Sequence, residues 1–185
     1  MILKSFEIEL APLQDVWAPQ FSQIISNADL TRYTLTGSLP MRVIDIAEAW
    51  EKERKAGSVQ WAIYAKGTFV GACGLHSHRD IYRSWEFRIF KAPTESKGVG
   101  AECTRLVTEY AFERLNAHRV WGGTHADNIA MQKCFLKAGY KEEGRLREEL
   151  YCFGKYADAV RYGILETEWK SLTSAEAELE VHVEK

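Results

Sequence analysis

The chain lacks a strong charge of either sign and lacks any long apolar run. Its 185 residues include 24 basic and 26 acidic side chains, for a net charge of −2, which argues against a non-specific nucleic-acid binder or a protein drawn to anionic membranes. No run approaches the roughly 18 apolar residues of a membrane-spanning helix. Residues 1–7 have neither the basic start nor the apolar stretch of a signal peptide. We therefore expect a cytoplasmic protein that binds neither nucleic acid nor membrane.

Cysteine is also scarce, and its spacing gives no metal motif. The four cysteines are scattered singly, with no Cys-x-x-Cys pair and no His-x-x-x-His near them. A structural zinc site therefore finds no support, and we expect no metal cofactor. Reduced and mostly buried thiols are the expectation for Cys73, Cys103, Cys134 and Cys152.

What is present is the composition of one globular domain. The chain is 46% hydrophobic and 27% charged, without repeats or low-complexity tracts. We expect a single domain over residues 1–170 and a flexible acidic tail over residues 171–185. Alternating apolar residues predict strands, and an apolar period of 3.6 predicts helices. In the second predicted helix the apolar stripe is Ile44, Ala47 and Trp50, and Gly57 follows its end.

The predicted order is strand, two helices, three strands, helix, strand, helix and two strands. Strands are predicted at residues 6–10, 60–65, 69–75, 82–90, 119–125, 140–151 and 156–165. Helices are predicted after Pro12, at residues 40–56, from Val99 onward, and from about residue 128 to Gly139. This order is typical of a mixed α+β (α/β) domain in which helices cover both faces of one sheet of about seven strands.

A glycine-rich turn opens the most regular of the predicted helices. It reads Ser96-Lys97-Gly98-Val99-Gly100-Ala101, and a turn of this kind presents unpaired backbone N–H groups and the positive end of the helix dipole to an anion. A dinucleotide fingerprint needs a third glycine where this chain has Cys103, and a Walker loop needs its lysine after the glycine, whereas Lys97 precedes Gly98. Both nucleotide motifs fail. The glycines alone also suit a simple helix start.

The motifs around this turn resemble the GCN5-related N-acetyltransferase (GNAT) superfamily, and within it the RimJ/RimL-like branch. The resemblance is densest between residues 69 and 165 and depends on the order and spacing of several segments. These are Phe69-Val70-Gly71 with Gly74-Leu75, Lys97-Gly98-Val99-Gly100, residues 110–120, Asp127-Asn128, residues 137–140, residues 143–147 and residues 154–158. The resemblance implies a mostly antiparallel sheet and a transferase that uses acetyl-CoA as its co-substrate.

The resemblance also implies where coenzyme A binds. Its pyrophosphate would lie on the backbone amides of the glycine turn, and its pantetheine between two strands that splay apart. The positions that match are Ile89, Phe90, Lys97, Gly98, Val99, Gly100, Ala101 and Asn128. Two positions depart from the family pattern, Glu95 in place of Gln or Arg and Ser96 in place of Gly, and neither removes the amides. Many members carry a tyrosine seven residues after the helix-opening asparagine to protonate the thiolate. Here that cofactor-facing position is Phe135, which has no proton to give.

Attack of an amine on a thioester needs a neutral amine, and three residues are candidates for the base that removes its proton. Glu86 lies on the strand before the glycine turn, where some members of the family hold a catalytic glutamate; the alternative is a structural ion pair with Arg88. His125 ends the next strand and titrates in a useful range; the alternative is a solvated or cap-adjacent histidine. Glu149 shares a strand face with Tyr151, where either residue is placed to line the acceptor site or simply to face solvent.

The acceptor site is expected to draw on the first helix pair and the loop between its helices, where Arg32-Tyr33 matches the branch. Trp61 and Trp85 are expected in the core instead. The expected activity is transfer of an acetyl group to a primary amine, either a protein N-terminus or a small amine such as an amino sugar, a polyamine or an amino acid. The alternative is a non-catalytic acyl-CoA-binding regulatory module, which Phe135 favours. Members of the family often dimerise, so the resemblance also opens the option of a homodimer.

Overall fold

The computed structural model describes residues 1–5, 8–27, 33, 42–77, 80–94, 96–152 and 154–172. The strands are β1 (Leu3–Lys4), β2 (Ile8–Pro12), β3 (Val59–Ala65), β4 (Thr68–Ser77), β5 (Ser84–Lys91), β6 (Arg119–His125), β7 (Lys141–Cys152) and β8 (Lys155–Leu165). The helices are α1 (Ala18–Ile25), α2 (Val43–Lys55), α3 (Val99–Arg114) and α4 (Ile129–Lys137), with 3-10 turns at Asp15–Trp17 and Asp80–Tyr82. Residues 166–172 form a last helical segment.

The eight strands form one sheet in the order β1-β2-β3-β4-β5-β6-β8-β7. Neighbouring strands are antiparallel except for β5 and β6, which run parallel. The predicted mixed and mostly antiparallel sheet is confirmed, with one strand more than the seven expected. The additional strand is β1, whose two residues are too few to give a visible alternation in the sequence.

Helices cover both faces of the sheet, as predicted. On one face α3 and α4 enclose a core that includes Trp61, Val107 and Phe135. On the other face α1 and α2 enclose a smaller core that includes Phe21, Trp50 and Ala62. Because side chains alternate along a strand, Trp61 and Ala62 supply opposite cores from adjacent positions. Trp61 is 2% exposed and Trp85 packs against the larger core, so both tryptophans lie where the sequence placed them.

The predicted buried face of α2 is wrong at Ile44. Ile44 is 55% exposed, while Ile46 and Trp50 are buried. Residues four apart lie on one side of a helix, whereas Ile44 and Ile46, two apart, point about 200° away from each other around the axis. The helix also begins at Val43 rather than at residue 40, and residues 28–32 and 34–41 lie outside the described part of the chain.

The chain after β8 continues as packed structure before the acidic tail. Trp169 is 8% exposed and stacks on Phe112 with ring centroids 5.9 Å apart. Residues 171–172 still belong to this helical segment, and residues 173–185 lie outside the described residues. Within the described residues, none of the helices combines the length and the apolar character needed to cross a membrane.

All four cysteines are free thiols, two of them buried and two half-buried. Cys73 of β4 and Cys103 of α3 lie in the larger core, where burial raises the pKa of the Cys73 thiol well above its ordinary value. Burial also raises the pKa of Cys134 on α4. A raised pKa keeps the Cys73 and Cys134 sulfurs in the weakly reactive thiol form.

Candidate active site

The glycine turn leads directly into α3, as predicted. Gly98 precedes the helix with φ +83°, a left-handed conformation that side chains other than glycine rarely adopt. The first bond inside the helix runs from the Glu102 N–H to the Gly98 carbonyl at 3.0 Å. The amides of Val99, Gly100 and Ala101 therefore precede the hydrogen-bonded ladder and are oriented toward an incoming anion. Lys97 is exposed beside them.

Packing on the far side of this turn holds the amides in place. The Val99 side chain is 3% exposed and anchors the first turn of α3 in the core. A Cβ added to Gly100 would lie 3.1 Å from the Cys134 Sγ and 3.8 Å from the Lys91 Cε. The first turn of α3 therefore closely approaches both α4 and the end of β5, and a side chain at position 100 would enter the space between them.

A gap between β5 and β6 leads away from the glycine turn. Within these strands the parallel pairing covers three residue pairs and ends where Glu86 faces Trp121. Beyond this point Ile89 and Phe90 pair with Cys73 and Ala72 of β4, so the edge of β5 that faces β6 is left without ladder partners. The splay that the resemblance implied is present, and it begins at Glu86.

Phe135 closes the base of the gap rather than lining an open channel. Its side chain is 1% exposed and stacks on Tyr162 at a centroid distance of 5.2 Å. A Cβ added to Gly122 of β6 would lie 2.6 Å from the Phe135 Cζ and 3.1 Å from the Phe87 carbonyl oxygen. The ring is thus primarily a core residue whose outer edge reaches the point where the two strands part.

Asn128 has a structural role at the start of α4. Its Oδ1 accepts the Met131 N–H at 3.1 Å and caps α4, while its Nδ2 donates to the Thr124 hydroxyl at 3.0 Å. Contact between Asn128 and a cofactor stays a prediction.

Glu86 lies at the start of the gap on the face covered by α1 and α2. It is 5% exposed and accepts the Arg88 Nη2 at 2.7 Å, so the ion pair considered in the sequence is present. On the same face His76 of β4 is the strand partner of Glu86. The His76 Nδ1 lies 2.8 Å from the Glu53 Oε2 of α2. Burial lowers the pKa of His76, and its hydrogen bond with Glu53 acts in the opposite direction.

His125 ends β6 on this face and is 7% exposed. Its Nδ1 accepts the Asp127 N–H at 3.1 Å, and this bond assigns the ring N–H to Nε2. The Tyr33 ring packs edge-on against it with centroids 5.5 Å apart. Tyr33 lies in the chain between α1 and α2, and its place in an acceptor site stays a prediction. Arg32 and Glu95 lie outside the described residues.

Two residues that the sequence analysis did not select, Trp121 and Arg161, lie on the same sheet face as Glu86 and His125. The Arg161 guanidinium of β8 lies over the Trp121 ring, 4.9 Å from its centroid, and the Arg161 Nη2 donates to the Glu149 Oε1 at 3.2 Å. The signal in the sequence was the alternation Trp121, Gly123, His125 along β6, which puts Trp121 on the same face as His125.

Glu149 contacts the Arg161 guanidinium, whereas Tyr151 lies at the end of the β7–β8 hairpin. The register of β7 shifts between Leu146 and Leu150, so simple alternation does not hold there. Tyr151 pairs with Tyr156 at the end of the hairpin and is 64% exposed. Glu149 and Tyr151 therefore do not line one surface together, whereas a regular strand would have placed them on the same face.

Comparison with known proteins agrees with this geometry. Residues 7–141 match the family model described as an acetyltransferase (GNAT) domain. The chain is 28% identical over 152 residues to YdaF of Bacillus subtilis (strain 168), a candidate ribosomal N-acetyltransferase, covering 81% of this chain and 77% of YdaF.

Two solved structures share the fold. Spermidine N-acetyltransferase from Vibrio cholerae, in complex with CoA and spermine, superposes with a TM-score of 0.80 at 22% identity, covering 89% of this chain and 99% of that one. RimL, a ribosomal L7/L12 alpha-N-protein acetyltransferase in complex with coenzyme A, superposes with a TM-score of 0.78 at 14% identity, covering 89% and 98%. The chain belongs to the GNAT acetyltransferase family and is an acetyl-CoA-dependent N-acetyltransferase.

Proposed function

We propose that the acceptor amine enters over the sheet face that carries Glu86 and His125 and meets the thioester in the gap between β5 and β6. The observation that carries this proposal is the end of the β5–β6 pairing at Glu86 and Trp121. From that point the gap leads to the open amides at the start of α3. A ligand with an anionic end and a linear arm fits this combination of an anion site and an unpaired strand edge.

The residues around the glycine turn and along the edge of β5 suit the two parts of coenzyme A, its pyrophosphate and its pantetheine arm. The amides of Gly98, Val99, Gly100 and Ala101, with the exposed Lys97, would hold its pyrophosphate, and the free edge of β5 at Ile89 and Phe90 would hold its pantetheine arm. The co-substrate supplies the activated acetyl group, while the protein supplies binding and orientation. The cytoplasmic location and the homodimer considered in the sequence analysis stay predictions.

In this proposal Glu86 accepts the proton of the acceptor ammonium. Its carboxylate lies at the start of the gap, and Arg88 orients it through the bond at 2.7 Å. His125 has a different role from the base considered in the sequence analysis. Since its Nδ1 accepts the Asp127 N–H, its Nε2–H donates a hydrogen bond into the site. It thereby offers a hydrogen bond to the departing thiolate, whose proton then comes from water, in a chain whose Phe135 has no hydroxyl.

An acceptor panel tests the activity. We expect the protein to release thiol from acetyl-CoA in a saturable way with at least one class of primary amine among peptides, amino acids, amino sugars and polyamines. The alternative of a non-catalytic module is favoured by the buried Phe135, which brings no hydroxyl to the base of the gap. Binding of acetyl-CoA by calorimetry without thiol release on any acceptor would support the module and contradict the proposal.

Substitution of the two polar candidates tests their roles. We expect Glu86→Gln to lower kcat on the order of 100-fold and His125→Ala by about 10-fold, within the range of general acid–base contributions, with unchanged affinity for acetyl-CoA. The matched control is His118→Ala, since His118 precedes the other end of β6 and its side chain is 53% exposed. Wild-type rates in both variants would exclude both residues.

A further inference from the structure

We infer that Arg161, held against Trp121 and Glu149, binds an oxygen next to the reactive amine. The acceptor is then an α-amino acyl group, either the N-terminus of a peptide or a free amino acid. This inference rests on the proposed function, because it names the acceptor chemistry of the same site. It concerns residues of β6, β7 and β8 that take no part in binding coenzyme A.

The position of Arg161 follows from the strand registers. Glu86 faces Trp121 across β5 and β6, and Gly123 faces Arg161 across β6 and β8. Two strand spacings of about 4.8 Å and two residue rises of about 3.3 Å put the Cα atoms of Glu86 and Arg161 about 12 Å apart. Their side chains share one face, and both are long enough to reach the same small acceptor. Tyr33 and His125 border the same region.

The guanidinium is held in one orientation. It lies over the Trp121 ring at 4.9 Å and donates through Nη2 to Glu149. Its Cδ lies 3.4 Å from the place where a Cβ on Gly123 would be, so the absent side chain at position 123 leaves room for it. A guanidinium has five N–H donors in a planar fork. With the side chain 30% exposed, donors remain for a carbonyl or carboxylate oxygen of the acceptor.

Three carboxylates of this face already have basic partners, which disfavours a polyamine. Glu86 accepts a hydrogen bond from Arg88 and Glu149 accepts one from Arg161, while Glu53 lies 2.8 Å from His76 and 3.9 Å from Arg88. A polyamine carries only ammonium groups, which would compete with these arginines for the same oxygens and be repelled by their charge. An α-amino acyl group instead has an amine that can donate to the Glu86 carboxylate and an oxygen that can accept from the Arg161 guanidinium.

The test compares acceptors that differ in this oxygen. Thiol release from acetyl-CoA is measured with tripeptide amides of varied first residue, with free amino acids, with isopropylamine, and with spermidine. Alaninamide and isopropylamine form the matched pair, since isopropylamine replaces the carboxamide of alaninamide by a methyl group. We expect kcat/KM to be highest for the peptide amides or for the amino acids. Comparison of these two acceptor types shows whether the α-amino acyl group comes from a peptide N-terminus or from a free amino acid.

Variants of Arg161 complete the test. We expect Arg161→Met to raise KM for the preferred acceptor by about 10- to 100-fold, the range for losing a hydrogen bond to a charged group. Its kcat, its KM for acetyl-CoA and its rate with isopropylamine should change little. Arg161→Lys keeps the charge and should recover only part of the loss. Arg145→Met is the control, because Arg145 of β7 also faces a carboxylate, its Nη1 3.5 Å from the Asp158 Oδ2, and should behave as wild type.

The outcomes separate the two proposals. Thiol release with spermidine in preference to every α-amino acyl acceptor would overturn this inference and leave the acetyltransferase activity standing. Equal KM values for Arg161→Met and Arg145→Met would also overturn it. No release with any amine would contradict the proposed function itself and the inference with it.

Discussion

Replacing Gly100 by valine is expected to weaken acetyl-CoA binding by about 100-fold or more. A Cβ at this position would already lie 3.1 Å from the Cys134 Sγ, and the branched side chain of valine adds two methyl groups to the same space. The side chain then displaces the first turn of α3, and with it the amides of Val99, Gly100 and Ala101. Loss of two hydrogen bonds to an anion, at about 1.5–3 kcal/mol each, accounts for the expected factor.

Calorimetric titration with acetyl-CoA measures this effect. Gly144→Val is the matched control, since a Cβ at Gly144 of β7 would meet no atom within 4 Å. We expect the control to bind as the wild type does. A thermal melt of both variants separates a local loss of binding from a loss of folding. If Gly100→Val bound acetyl-CoA with wild-type affinity, the assignment of this turn as the pyrophosphate site would be wrong.

Replacing Phe135 by alanine is expected to lower the free energy of unfolding by about 3–5 kcal/mol, the range for a buried aromatic truncated to alanine. The ring is 1% exposed and contacts the rings of Phe87, Tyr140 and Tyr162. It also supports Gly122 at the base of the gap. Since whole domains are stable by only about 5–15 kcal/mol, this variant should lose a large part of its stability.

Urea denaturation followed by circular dichroism measures this loss. Ile81→Ala is the control, because Ile81 is 83% exposed and a surface truncation of this kind changes stability by about 0.5 kcal/mol or less. Phe135→Leu should fall between the two, since leucine fills part of the space. A loss below about 1 kcal/mol for Phe135→Ala would show that the ring does not fix the core.

Most helices and strands were predictable because they follow from the local spacing of apolar residues along the sequence. The apolar residues spaced three or four apart from Val99 to Ala111 predicted α3, and the strand predicted at residues 119–125 is β6 with the same bounds. Glycines with positive φ marked the ends of helices, as Gly139 does after α4. Each of these signals depends on neighbours within one or two turns of chain, which is the range over which a sequence can be interpreted directly.

The candidate site was only partly predictable, because its parts come from separate strands. Glu86, His125 and the glycine turn followed from their places within elements. Trp121 and Arg161 were missed because their contact joins residues 40 positions apart, through a strand order in which β8 lies beside β6. Tyr151 was assigned with Glu149 because the alternation assumed a regular strand, and the register shift in β7 is a tertiary feature.

The sequence by itself determined most of the helices and strands, the glycine turn before α3 and the likeness to the acetyltransferase family. Only the tertiary structure decided that β5 and β6 part at Glu86, that Phe135 fills the base of the gap, and that His125 carries its proton on Nε2. It also decided that Arg161 lies over Trp121 and donates to Glu149. The physical reason is that periodicity encodes which side of an element is buried, whereas the partner that buries it, and the space left between partners, depend on how distant strands and helices pack.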